Sequence, residues 1–352
     1  MKKKRPYIIS GPCSVETEKQ LLETAKELVK YNSIDCLRAG IWKPRTRPNS
    51  FEGVGEIGLQ WLKTTGQETG IPVATEVANA KHTELALKKG IDILWIGART
   101  VANPFSVQEI ANALKGVEIP VMIKNPVNPD LQLWIGAIER ISQAGITEIK
   151  AIHRGFSSYE KLAYRNAPKW EIPIELMRIF PEIPIICDPS HIGGNRKMIE
   201  SISQKALDLE MDGLMIESHI NPDEALSDAE QQITPKQLQA VLSKLIVRQP
   251  DINNTGLKKK LTILRNKIDC LDEEIINLLS TRMNAVEEIG NHKRDNGITI
   301  LQAERWEKIV NDRRKIARSL GVSEELIQRI LKIIHEESIN IQTNILNNKK
   351  NE

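Results

Sequence analysis

Eight short apolar runs, each closed by Gly, Pro or a polar cluster and each followed by a stretch with helical spacing, constrain this chain more than any other feature. The runs are Tyr7 to Ser10, Ile34 to Ala39, Val73 to Val77, Ile93 to Gly97, Val121 to Lys124, Glu148 to Ile152, Pro184 to Asp188 and Gly213 to Glu217. Near-continuous hydrophobicity suits strands buried on both faces, and parallel strands need crossovers of the kind the helical stretches supply. Eight strand-helix units over about 245 residues match the size of an α/β fold of the (β/α)8 TIM barrel type. A doubly wound sheet is the competing arrangement, because counting strands does not establish closure.

The polar residues favour the barrel. Cys13, Arg38 with Lys43, Glu76, Arg99, Lys124, Arg154, Asp188 with His191, and Glu217 with His219 stand near the C-terminal ends of the runs. In a closed barrel those ends ring one mouth, where enzymes of this architecture carry their active sites. The stretch Leu37 to Pro48 holds Arg38, Lys43, Arg45 and Arg47 without a carboxylate, stiffened by Pro44 and Pro48. Guanidinium forks mixed with a lysine suit a ligand bearing both carboxylate and phosphate. A solvated basic loop is the plainer reading of that stretch taken alone. One thiolate, one imidazole and carboxylates could hold a divalent metal, and Cys13, His191, Glu217 and Asp228 supply such a set if the barrel closes. Taken singly, Cys13 reads as a small buried hydrophobe and the others as hydrogen-bonding groups. Glu76 reads as a loop carboxylate without a role, and Cys36, Cys187 and Cys270 as core or helix-face residues.

Composition narrows the partners. With 49 Lys and Arg against 46 Asp and Glu the net charge is only +3, which argues against nucleic acid or a membrane surface as partner. The four cysteines lack paired spacing, unlike a disulfide framework. The basic start Met1 to Arg5 leads into no secretory apolar segment, and no run approaches the ~20 residues that span a bilayer. The expectation is a cytoplasmic protein with no regulatory domain before Tyr7.

After a barrel domain at 1–249, residues 250–256 read as a polar, breaker-rich linker. From Leu257 to Ile289 there is neither Gly nor Pro, and Leu261, Leu264, Ile268, Leu271, Ile275, Leu278, Val286 and Ile289 form a stripe. That predicts one amphipathic helix of ~50 Å. Gly297 marks a loop, Leu301 to Leu320 a second helix, and Ser323 the cap of a third running past Gln342. The helical domain thus covers 257–345, before a disordered tail at 346–352. Three such unequal helices cannot bury a core alone, so the long one is expected to pair with its copy in at least a homodimer. Arg282 interrupts the stripe, where a cation must be paired or bind a ligand.

Six elements, in order, carry a resemblance. Gly11-Pro12-Cys13-Ser14-Val15-Glu16, Leu37-Arg38-Ala39-Gly40, Lys43-Pro44-Arg45-Thr46, Ile96-Gly97-Ala98-Arg99, Asp188-Pro189-Ser190-His191 and Ala225 to Gln232 resemble the type I-beta class of 3-deoxy-D-arabino-heptulosonate 7-phosphate (DAHP) synthase, over about Tyr7 to Leu245. The resemblance implies a metal-dependent condensation of phosphoenolpyruvate with erythrose 4-phosphate. It implies metal ligation by Cys13, His191, Glu217 and Asp228, with manganese first among divalent ions. Arg38, Lys43, Arg99, Lys124 and Arg154 would bind phosphoenolpyruvate, and Arg45 and Thr46 the erythrose phosphate, with Lys43, Lys124 and His191 catalytic. One departure is local: the family usually has a basic residue and a glycine after the strand-five lysine, whereas Asn125-Pro126-Val127-Asn128-Pro129 stands here.

A second resemblance, to the AroQ class of chorismate mutase, covers about Leu257 to Gln342. It is carried by Leu264-Arg265 with Ile268-Asp269 and Leu271-Asp272, then Arg282, Gly290 to Lys293, Arg305, and Glu337-Ser338 with Gln342. It implies that Arg265 of the opposite subunit and Arg282 meet the carboxylates of chorismate. Lys293 and Gln342 would act at the ether oxygen, with Arg305 and Ser338 in support. Gln302 and Trp306 depart from the acids the family often has there, and Glu304 is a possible substitute. The fusion suggests prephenate feedback on the barrel. The alternative is a 3-deoxy-octulosonate 8-phosphate synthase-like barrel, using arabinose 5-phosphate, with a helical domain that only senses a ligand or dimerises.

Overall fold

The computed structural model describes residues 5–31, 34–43, 50–159, 162–248 and 255–347, which divide into two compact units, Met1–Pro250 and Asp251–Glu352. In the first, eight parallel strands close on one another in sequence order: β1 (Tyr7–Gly11), β2 (Cys36–Arg38), β3 (Val73–Val77), β4 (Ile93–Ile96), β5 (Val121–Lys124), β6 (Ile149–His153), β7 (Ile185–Cys187) and β8 (Gly213–Glu217). Closure removes the doubly wound alternative. The surrounding helices are α1 (Glu18–Lys30), α2 (Glu56–Thr69), α3 (Ala80–Lys88), α4 (Ala98–Val101), α5 (Pro104–Ala113), α6 (Leu131–Gln143), α7 (Glu171–Ile179), α8 (Pro189–Gly193), α9 (Ile199–Asp208) and α10 (Pro235–Lys244). Two expectations need correction: only Cys36–Arg38 of the second run is strand, and Glu76 lies inside β3 rather than in a loop.

The near-continuous hydrophobicity has the cause inferred for it. Ile9, Cys36, Ala74, Trp95, Met122, Ile152, Ile186 and Met215 fill the barrel. Neighbours one residue away, such as Ile8, Leu37, Leu94 and Leu214, belong to the larger cluster beneath the helices, as the two-residue strand period requires. At the opposite end from the mouth, Asp35, Asp92 and Asp212 precede β2, β4 and β8. Their carboxylates accept the backbone N–H of Ile8, Val73 and Ile185 at 2.7, 2.9 and 2.7 Å, pinning each to the strand before it. Helix starts are set by side-chain caps at Thr17, Asn79, Asn103, Asp130 and Thr234.

The second unit consists of α11 (Thr255–Asp295), α12 (Ala303–Ser319) and α13 (Glu324–Asn347), with α11 and α12 packed on α13. The long helix begins inside the stretch expected as linker and continues past Ile289, because Gly290 is tolerated in its interior. The third runs two residues into the stretch expected as tail, and 348–352 lie outside the described residues. Val286 and Ala317 are the buried apolar side chains of this unit among the described residues. No helix of the described chain is long and apolar enough to cross a membrane.

Barrel closure has a narrow point. Tyr7 faces Gly213 where β1 meets β8, and a Cβ on Gly213 would lie 2.2 Å from the Tyr7 carbonyl oxygen. Gly213→Ala is therefore expected to cost about 1–3 kcal/mol through overpacking, read as a fall of several degrees in the barrel's thermal unfolding. Unchanged melting would mean that the seam can widen freely.

Candidate active site

The Asp188-Pro189-Ser190-His191 stretch shows how local rules build the mouth. Asp188 caps α8 by accepting the His191 N–H at 3.1 Å, and Pro189 occupies the first turn, where a missing N–H costs nothing. The same carboxylate accepts from Lys124 Nζ at 3.0 Å and lies 2.8 Å from His191 Nδ1, near but not ideally aligned for a hydrogen bond. Ser190 Oγ accepts the Glu217 N–H at 3.0 Å, coupling the ends of β7 and β8. Ala225 to Gln232 are stitched to the end of β1: Ser14 and Ser227 hydroxyls meet at 2.5 Å, Gln232 accepts from the Cys13 N–H at 2.9 Å, and Glu16 accepts from the Leu226 N–H at 2.8 Å. Asp228, in the left-handed region with φ 48°, is thereby brought over Cys13.

This arrangement fits a divalent metal. One atom each of Cys13, Glu217 and Asp228 lie within 4.8 Å of one another, and Cys13 Sγ is 3.3 Å from Asp228 Oδ2. His191 falls outside that tightest group, but its Nε2 is 3.8 Å from Glu217 Oε1 while Nδ1 faces Asp188. A second carboxylate behind a ligating imidazole is a common way to orient the ring. Burial lowers the pKa of His191, which favours the neutral imidazole a metal needs. Burial, reinforced by Glu217, pushes the Cys13 thiol up to about 12, against the pull of Lys43. Burial alone would raise the Asp188 and Glu217 carboxyls. His191 in its protonated form, with Lys124, holds Asp188 well below its usual range, and with Arg38 holds Glu217 below.

Beside this group opens a cavity of about 380 Å³, lined by Lys43, Arg99, Lys124, Arg154 and Arg165 together with Glu76, Asn166, His191 and Asp228. Five cations against two carboxylates give the lining a positive balance, although Arg165 is paired with Asp228 and Lys124 with Asp188. Burial and the neighbouring Arg165 and Arg99, only partly offset by Asp188, lower Arg154 to about 10, and its guanidinium donates to the neutral oxygens of Gly155 and Asn166. Arg38 is placed differently from the other expected anion-binding residues. It is 1 % exposed below the cavity, ion-paired with Glu217 at 2.7 Å, donating to the Cys13 carbonyl and stacked over Trp95. Lys43 Nζ stands 3.0 Å from Cys13 Sγ. Arg45 and Thr46 lie outside the described residues.

The departure after β5 is tied to this site. Asn125 is fully buried, accepts from the Arg154 N–H at 2.7 Å and donates to the carbonyls of Pro126 and Gly155 at 2.8 Å. Val127 then lines the cavity, and its carbonyl accepts the Ser157 N–H. Sequence reasoning gave no role to Asp188, Arg165, Asn166 or Gln231. Only Asp188 and Gln231 carried a signal, by adjacency to His191 and Asp228 in their motifs. Glu76, also left without a role, lines the cavity and accepts from Trp95 Nε1 at 2.8 Å.

In the helical unit, Arg282 on α11 donates to Ser338 Oγ on α13 at 2.8 Å, one turn from the buried Gln342, whose Oε1 has no hydrogen-bond partner. Lys293 donates to the Ile300 carbonyl at 2.5 Å, and Arg305 is close enough to help lower its pKa, after burial. Trp306 stacks on His335 with centroids 3.9 Å apart. Exposed Arg265 is not brought into this group: it stands 17 residues from Arg282 on the same continuous helix, ~26 Å at 1.5 Å per residue.

Comparison with known proteins agrees with both parts. Residues 2–252 match the DAHP synthetase I family and residues 264–343 match chorismate mutase type II. The chain is 34 % identical over 226 residues to a phospho-2-dehydro-3-deoxyheptonate aldolase of Thermotoga maritima, covering 64 % of each. It is 29 % identical over 248 residues to a 2-dehydro-3-deoxyphosphooctonate aldolase of Thioalkalivibrio sulfidiphilus, covering 63 % of this chain and 82 % of that one. A crystal structure of the Thermotoga maritima DAHP synthase superposes with a TM-score of 0.60 at 31 % identity, covering 68 % of both chains. A truncated form gives 0.58 at 29 % identity, covering 68 % and 85 %.

Because a ligating cysteine must be a thiolate, ligation by Cys13, whose pKa burial raises, would expel about one proton near neutral pH. Apparent affinity for Mn2+ is expected to rise roughly tenfold per pH unit between pH 6 and 8, with the proton counted from the buffer dependence of the calorimetric enthalpy. Binding without proton release would exclude Cys13 as a ligand.

Proposed function

The chain belongs to the DAHP synthetase I family and carries a chorismate mutase type II domain, and from that premise we propose two reactions. The barrel condenses phosphoenolpyruvate with erythrose 4-phosphate to give DAHP and phosphate, and the helical unit rearranges chorismate to prephenate. The observation that carries the first is the cationic cavity directly beside the Cys13, Glu217 and Asp228 group. Phosphoenolpyruvate bears a phosphate and a carboxylate, and Lys43, Arg99, Lys124 and Arg154 are the cations for both. Arg38 acts from beneath by keeping Glu217 ionised. We assign Arg45 and Thr46 to the erythrose phosphate.

Holding both reactants in one mouth turns an encounter into a near-intramolecular step. C3 of the enol attacks the aldehyde carbon, water adds at C2, and phosphate leaves with carbon–oxygen cleavage. When bound by Cys13, His191, Glu217 and Asp228, a divalent ion, manganese in this proposal, supplies Lewis-acid polarisation of the aldehyde oxygen. Arg99 and Arg154 meet the charge that develops on the departing phosphate. The five-carbon alternative draws on relatives named octonate aldolases, whereas the heptonate-named relative is the more identical and Lys43-Pro44-Arg45-Thr46 resembles the four-carbon family. Phosphoenolpyruvate consumption is expected with erythrose 4-phosphate, lost on chelation and restored by Mn2+. Turnover only with arabinose 5-phosphate would move the chain to the octonate class.

For the second reaction, Arg282, Lys293, Arg305, Ser338 and Gln342 provide cations and hydrogen-bonding groups on three helices, and Arg265 comes from a second copy. The separation of Arg265 from Arg282 supports this assignment. So does the exposed stripe Leu264, Ile268, Leu271, Ile275 and Leu278 on α11, at spacings of four and three that suit pairing with its own copy. No nucleophile or proton transfer is required, so capture of one conformer and stabilisation of charge at the ether oxygen suffice. Arg282→Ala is expected to lower chorismate turnover at least 100-fold while the condensation persists, and prephenate titrated into the condensation assay is expected to slow it. Turnover of chorismate untouched by Arg282→Ala, or an unchanged condensation rate at saturating prephenate, would remove the respective role.

A further inference from the structure

Of the two carboxylates of the proposed metal group, Asp228 is held directly and Glu217 through Gln231 by Arg165, a residue to which the sequence assigned no role. Arg165, between β6 and α7, donates through one nitrogen, Nη1, to Asp228 Oδ1 at 2.9 Å and to Gln231 Oε1 at 2.7 Å. Gln231 in turn donates through Nε2 to Glu217 Oε2 at 2.7 Å. The consequence for each carboxylate is specific. Asp228 has Oδ1 engaged by the guanidinium, which turns Oδ2 toward Cys13 Sγ. Glu217 is clasped between Gln231 on Oε2 and Arg38 on Oε1, the oxygen that faces His191.

The residue is fixed in place by the fold around it. The Arg165 N–H bonds the Gly193 carbonyl at 3.4 Å, the Asn166 N–H bonds the Ile192 carbonyl at 3.1 Å, and Asn166 Nδ2 donates to the His191 carbonyl at 2.6 Å. Its aliphatic stem crosses Gly194, which has φ 63° and where a Cβ would lie 2.5 Å from Arg165 Cβ. A side chain at 194 would therefore both strain the backbone and push the guanidinium away. The segment after β6 is thus buttoned to the histidine loop after β7 and, through Arg165, to the aspartate segment after β8.

We infer that Arg165, acting with Gln231, is a positioning residue that sets which oxygens of Asp228 and Glu217 face the cation. This rests on the metal reading of the site. Outer groups that orient metal ligands typically change affinity 10–100-fold when removed; because both bonds leave one nitrogen, a lysine ammonium on its shorter, flexible stem can replace Arg165 in part.

The test uses the full-length protein without substrates, with Mn2+ affinity measured by competition against a chromophoric chelator and the bound ion followed by electron paramagnetic resonance. Arg165→Ala and Gln231→Ala are each expected to weaken binding about 10–100-fold and to broaden or shift the Mn2+ spectrum, with Arg165→Lys between Ala and the parent. Two variants on separate segments guard against one of them failing to fold, which circular dichroism and melting would reveal. Parent-like affinity and spectra in folded variants would overturn the inference, and so would tighter binding in Arg165→Ala, since Arg165 would then compete with the metal. A parent that binds no Mn2+, or His191→Ala binding as the parent does, removes the metal reading itself. Loss confined to His191→Ala removes only the role of Arg165.

Discussion

The buried ion pair between Arg38 and Glu217 is the interaction on which the barrel's chemistry depends. Both side chains are at most 1 % exposed, and the pair is 2.7 Å apart between β2 and β8. Taking two charges out of water costs more than such a pair commonly returns, so it is poor evidence for stability. Its effect is chemical: after protonated His191, Arg38 helps hold the Glu217 carboxyl below its usual range against the upward push of burial. Lys124 and Asp188 repeat the arrangement between the ends of β5 and β7. The Arg38–Glu217 pair spans the β1–β8 seam, so that part of the site needs the closed barrel.

That dependence explains what the sequence made legible. Eight runs, their order and the residues at their C-terminal ends follow from local hydrophobicity and breakers, and closure then brings Cys13 to Glu217 and Asp228, each more than 200 residues from it in the chain. The inward turn of Arg38 was not legible. Its neighbours Lys43 and Arg45 suggest one basic stretch, and strand alternation alone cannot say that a cation will be spent on a carboxylate 179 residues away. Arg165 and Asn166 were hidden for a related reason: they sit in a connection with no periodicity, and their role arises wholly from long-range contacts. The Asn125 to Pro129 departure looked like an altered loop. Asn125 uses its amide to close that loop onto the backbone of Arg154 and Gly155, a bond pattern that composition cannot announce.

The helical unit is legible in a different way. Helix existence followed from spacing and the absence of breakers, yet the C-terminal boundary slipped because Gly290, against Gln342 and Ile345 of α13, does not end the helix. Arg282 was singled out as a cation on an apolar stripe, and its hydroxyl partner Ser338 lies 56 residues away on α13. Most of that stripe stays exposed within one chain: Ile268 is 55 % and Leu278 69 % accessible. A surface of this kind in water is unfavourable at roughly 25 cal/mol per Å², which is the physical argument for a second copy along α11.

The two proposed reactions place different demands on their surroundings, and the residues divide accordingly. Rearrangement of a bound dianion needs cations and hydrogen-bond donors in a fixed cage but no group whose protonation must change. Condensation, as proposed, must hold two anionic reactants, one of them the electrophilic aldehyde, beside carboxylates that would repel them. The barrel separates those tasks in space. Glu217, Asp188 and Asp228 each meet a cation of their own, Arg38, Lys124 and Arg165 respectively, while Arg154 donates to neutral oxygens and keeps its charge for a ligand. A carboxylate left without its cation would project negative charge across the cavity of about 380 Å³ proposed for phosphoenolpyruvate. Neutralising the inner carboxylates therefore helps the cavity accept an anion, and Arg38 does so without lining it, while Lys124 both meets Asp188 and lines the cavity.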